Sequence, residues 1–93
     1  MEQNTKNKWN YVEGENEIMK AGMILANNLK QYRNEQKLSQ EELAARSDLS
    51  TRGYGKIERG EVHASLGTLD KLAKATGLTQ AALLQAPQKD ELV

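Results

Sequence analysis

Apolar residues along this chain recur every three or four positions, and no stretch alternates apolar and polar residues as a half-buried strand would. The first run begins near Ile18. Met19, Met23, Ala26, Leu29 and Tyr32 share one side of a helix that the pattern carries to about Gln36. Lys37 is expected in its last turn, where a cation suits the helix dipole. Ser39 follows, with Glu42 three residues on, the spacing of a capping box. A second helix is predicted over Gln40–Arg46. Ser47 and Asp48 read as a turn, Ser50 as the next N-cap, and residues 51–59 as a third helix stopped by Gly60. Ser65 opens a fourth helix, with Leu66, Leu69, Leu72 and Ala73 on one face, ending near Thr76 and Gly77. Thr79 caps a short fifth helix that holds Leu83 and Leu84 and stops at Pro87. The pattern predicts an all-α, compact five-helix bundle at residues 18–86. A polar N-terminal tail at 1–17 precedes it and a C-terminal tail at 87–93 follows.

Ninety-three residues make one small domain. A core of this size buries about 60% of the surface its unfolded chain exposes, so a partner chain would help it. The absence of Cys leaves no disulfide framework and no thiolate metal site, which fits a cytoplasmic protein. The longest nearly unbroken apolar stretch, residues 21–26, is too short to span a bilayer, and no signal-peptide core is visible. No membrane partner, cofactor or small-molecule domain is expected.

Lys plus Arg equals Asp plus Glu, 13 each, so bulk charge does not mark a nucleic-acid binder. The distribution is uneven. Residues 1–19 carry two Lys against four Glu, and residues 20–37 carry four cations against Glu35 alone. Residues 40–60 balance, with Arg46, Arg52, Lys56 and Arg59 against Glu41, Glu42, Asp48 and Glu58. A basic face there must be made by folding, with the acids turned away. No enzyme site is legible. His63 stands alone, no metal-ligand spacing or P-loop occurs, and Gly53-x-Gly55-x-x-Glu58 lacks the third glycine of a dinucleotide fingerprint. Glu41 and Glu42 lie in a helix's first turn, where the dipole accounts for them.

The most specific stretch is residues 38–60. Two short helices joined by a tight turn need a small residue at their closest approach, a place Ala44 fills, and a seam that Leu43, Leu49, Tyr54 and Ile57 would supply. Leu29-Lys30 and Arg33 precede it, and Leu38-Ser39-Gln40-x-x-Leu43-Ala44 opens it. Leu49-Ser50, Ile57-Glu58-Arg59-Gly60 and Leu69-x-x-Leu72-Ala73-x-x-x-Gly77-Leu78 follow in order. Residues 25–84 thereby resemble the phage-repressor and Cro type of helix-turn-helix domain, the XRE family.

The resemblance implies a lambda-repressor-like fold and a sequence-specific, DNA-binding transcriptional regulator, most simply a repressor. It would work as a homodimer on a palindromic operator in double-stranded DNA, with the third helix in the major groove. Carried over, the base readers are Thr51, Arg52 and Lys56. The phosphate contacts are Gln40, Ser50 and Arg59, with His63 and Ser65 beyond the helix. Arg33 and Glu58 are expected to form a structural ion pair. Leu83, Leu84, Met19 and Met23 are candidates for a self-complementary patch, and Trp9 and Tyr11 for a tail contact. A protein-interaction or antitoxin-like module that keeps the fold but binds DNA weakly is the alternative.

Several residues depart from the family pattern. Asp48 stands where Gly is usual, Ala64 where Pro is common, and Tyr54 where an aliphatic residue fills the seam. Gly53 and Gly55 each cost about 1 kcal/mol relative to Ala inside a helix. Gly55 leaves the expected reading face without a side chain between Thr51 and Lys56. Close backbone approach, ordering on DNA or lost DNA affinity would each account for it.

Overall fold

The computed structural model describes residues 11–86, with side chains from residue 21 onward. The expected roles of Trp9 and of residues 87–93, and the side chains of Tyr11 and Met19, lie outside that range. The described residues form five helices and no strand: α1 (Tyr11–Glu35), α2 (Gln40–Arg46), α3 (Thr51–Glu58), α4 (Leu66–Thr76) and α5 (Gln80–Leu83). The first helix begins at Tyr11, earlier than the apolar period predicts.

Each of α2 to α5 starts in the same way. Ser39, Ser50, Ser65 and Thr79 stand in extended backbone, and each side-chain oxygen accepts from the N–H three residues on. At Ser39 the box is complete, since Glu42 Oε1 accepts the Ser39 N–H at 2.7 Å. The helix ends also share a device. After α1 the N–H of Leu38 donates to Arg33 O at 2.9 Å and that of Lys37 to Asn34 O at 3.1 Å. The same pair of bonds closes α2 around Asp48 and α3 around Gly60. These are Schellman motifs, and each needs a left-handed residue at its corner. Lys37 and Asp48 supply it at φ 57° and 58°, Gly60 at 74°. Lys37 therefore lies beyond α1 and not in its last turn. Its role is conformational.

Leu25, Leu29, Leu43, Ala44, Tyr54, Ile57, Leu69, Leu72 and Leu83 make one core, with Tyr32, Leu38 and Leu49 packed against it. Burying a Leu of this kind contributes roughly 1.5–3 kcal/mol. The face of α1 is rotated from the predicted one. Leu25 is buried, whereas Met23 is half exposed. Leu66 is 78% exposed, so it does not join Leu69 and Leu72. Leu83 is fully buried and unavailable to a dimer patch, whereas Leu84 is exposed. Four-residue α5 would leave its carbonyls open. Asn28 of α1 answers the last of them, its Nδ2 donating to Leu83 O at 2.7 Å, and reaches Gln85 O just beyond the helix at 3.1 Å.

Candidate nucleic-acid interface

Helix α3 turns about 100° per residue, which sorts its side chains cleanly. Tyr54, Ile57 and Glu58 point inward and are buried. Thr51, Arg52 and Arg59 are exposed and Lys56 is half-buried, on the opposite side. Gly55 lies in the middle of that outward side.

The inward side is held by one carboxylate. Glu58 is only 2% exposed, yet four donors reach it. Arg33 donates from Nε to Oε2 at 2.8 Å and from Nη2 to Oε1 at 3.0 Å. Gln40 Nε2 donates to Oε1 at 2.6 Å, and the Tyr54 hydroxyl to Oε2 at 2.7 Å. Arg33 Nη1 also donates to Leu38 O at 3.0 Å, which ties in the α1–α2 connection. Burial pushes the Glu58 carboxyl up, but the bonds from Arg33, Gln40 and Tyr54 together outweigh it and hold the group below the usual carboxylate range. Burial, with the Glu58 carboxylate beside it, pushes the Tyr54 phenol far up, so it stays a donor. Tyr54 thus has the hydroxyl partner that its position demands, and the acid that would repel phosphate is turned inward.

Residues 29–83 match the helix-turn-helix family. The chain belongs to that family. It is a helix-turn-helix transcription regulator of the XRE and control-protein type. It is 46% identical over 61 residues to the control protein C.SmaI of Serratia marcescens, covering 66% of this chain and 73% of that protein. It is 38% identical over 65 residues to the control protein C.MunI of Mycoplasma sp, covering 69% and 88%. Among solved structures, a hypothetical transcription factor from Neisseria, NHTF, superposes with a TM-score of 0.70 at 32% identity, over 77% of this chain and 84% of that one. None of the described helices is long and apolar enough to cross a membrane.

The outer residues of this helix-turn-helix differ in how free they are. Ser50 Oγ accepts the Gly53 N–H at 2.9 Å, which leaves its own proton to donate. Gln40 spends one amide N–H on Glu58 and keeps the other. Ser65 is more fully used, accepting from Thr68 N at 3.1 Å and donating to Thr68 Oγ1 at 3.0 Å. His63 packs beside α1, its Cδ2 lying 3.8 Å from where a Cβ on Gly22 would stand. There it lines an apolar groove of about 200 Å³ with Ala21, Leu25, Leu69 and Leu84. Sequence reasoning had no signal for that placement. It also missed the pairing of Arg59 with Glu61, Nε to Oε2 at 2.7 Å. That bond lowers the Glu61 pKa and raises that of Arg59.

Proposed function

We propose that this helix-turn-helix regulator binds double-stranded DNA sequence-specifically and acts as a cytoplasmic repressor. It inserts the N-terminal half of α3 into the major groove, as a homodimer on a palindromic operator. One observation carries the reading: Thr51, Arg52 and Lys56 stand outward on a helix whose only buried charge, Glu58, is tied to α1 and α2. Arg52 and Lys56 face base edges, where a bidentate Arg–guanine pair contributes about 1–3 kcal/mol of discrimination. Ser50 and Gln40 offer their spare donors to phosphate, which sets register without reading sequence. Half-exposed Met23, which lies against Gly60, and exposed Leu84, which lines the apolar groove, supply the dimer contact.

The test is selection of bound sequences from random DNA at physiological salt, followed by fluorescence anisotropy on the selected site across a salt series. Affinity falls steeply with salt while preference for one site persists. Binding that is absent, or equal for all sequences, overturns the proposal and favours a protein-interaction role.

A further inference from the structure

The outward side of α3 has no side chain at its centre, yet Gly55 is buried. What covers it comes from elsewhere. A long side chain on a helix leans back over the preceding turn, and Arg59 is one turn after Gly55. Arg59 Nη1 lies 2.9 Å, and its Cζ 3.7 Å, from the position a Gly55 Cβ would take. Gln40 Oε1, turned that way because its amide nitrogen is held by Glu58, lies 3.7 Å from the same point. The missing side chain is a seat, and a guanidinium occupies it.

Glu61 fixes which edge of that guanidinium is used. Arg59 donates to it from Nε at 2.7 Å and from Nη2 at 3.4 Å. These are the two donors on the side edge of the fork. The end edge, Nη1 with the second proton of Nη2, makes no hydrogen bond among the described residues and keeps its donors. Two parallel N–H groups of that kind match O6 and N7 of guanine in the major groove. We propose that Arg59 is a specificity-determining base reader of this interface, seated on Gly55 and positioned by Glu61, and that its ligand is a guanine edge and not a phosphate. The assignment rests on the DNA-binding reading above and replaces the phosphate contact that the family resemblance implies for Arg59. It also gives the glycine a purpose: an Ala there would displace the guanidinium and lift the helix from the base pair.

The experiment compares affinity for the selected operator with affinity for random-sequence DNA, by anisotropy at fixed salt. It uses the wild-type chain and the variants Arg59→Lys, Glu61→Gln and Gly55→Ala. A lysine keeps the charge but loses the fork, so Arg59→Lys is expected to lower the operator-to-random ratio about tenfold or more. Glu61→Gln lowers the ratio severalfold, because it frees the fork while removing a negative charge that discourages indiscriminate phosphate binding. Gly55→Ala lowers the ratio while raising the melting temperature, a combination that misfolding cannot produce. Ratios unchanged in Arg59→Lys and Gly55→Ala overturn the assignment and leave Arg59 a phosphate contact. A wild-type chain with no sequence preference overturns the DNA reading itself, a separate outcome seen before any variant is made.

Discussion

Removing Arg33 strands a charge inside the protein. In Arg33→Ala the Glu58 carboxylate, only 2% exposed in the intact protein, loses two of its four hydrogen bonds and the cation paired with it. Breaking a buried pair from one side costs about 3–5 kcal/mol. Arg33 keeps 18% of its side-chain surface in water, which moves the expected loss to the low end, ~3 kcal/mol. For a domain of this size each kcal/mol shifts Tm by about 4–8 °C, so the variant should melt some 12–24 °C lower. The assay is thermal and urea unfolding by circular dichroism, with Lys30→Ala, an exposed position on the same helix, as control. A pH series adds an independent arm. The native Glu58 pKa lies below its ordinary 4.5, so its contribution is present above that value and is lost as pH falls through the native pKa. In the variant, burial is opposed only by Gln40 and Tyr54, so the carboxyl takes up its proton at higher pH. The gap between wild type and variant is therefore widest near neutrality and closes on acidification. A loss no larger than that of Lys30→Ala, or a gap that ignores pH, would refute the reasoning.

Four further outcomes are expected in the same unfolding assays. Lys37→Gly relieves left-handed backbone strain of about 1–2 kcal/mol at a cost of ~0.5–1 in chain entropy, so stability rises by about 0.5–1 kcal/mol. Asp48→Gly gains less, because it gives up the carboxylate contact with Lys71 at 3.4 Å. Gly53→Ala stabilises by about 0.5 kcal/mol despite a Cβ only 3.0 Å from Ser50 Oγ, since Glu42, Thr68 and Ala82 carry a Cβ at the same capped position. A falling urea midpoint would mean that the Ser50 cap cannot give way. Tyr54→Phe removes one bond to a charged acceptor and costs about 1.5–2 kcal/mol; an unchanged midpoint would reduce the tyrosine to a space-filler.

The parts of the fold written in local chemistry were legible in the sequence. The caps at Ser39, Ser50, Ser65 and Thr79 placed four helix starts, because a cap needs only a hydroxyl and a nearby N–H. The start of α1 was not legible, since residues 11–17 carry Gly14 and four polar residues that blur any period. Nor was the left-handed corner at Lys37, where nothing in a lysine advertises positive φ. At the interface, charge said that Glu58 needs a cation behind the outer face, and the family resemblance, not spacing, pointed to Arg33. The engagement of Gln40 with Glu58, the fold of Arg59 over Gly55 and the move of His63 to the α1 groove depend on which way long side chains lie, and spacing does not contain that.

The tie from Glu58 to α1 and α2 has a consequence for descent. The side-chain bonds that tie Glu58 of α3 to α1 and α2 are made on its inner side, and none of them involves the side chains of Thr51, Arg52 or Lys56. Exposed substitutions away from such bonds usually change stability by less than about 0.5 kcal/mol. Those three positions can therefore drift with little folding penalty, and a lineage of such proteins can change its preferred site one residue at a time while the scaffold stays the same. Only the Gly55 seat resists, because it must change together with the arginine that lies on it.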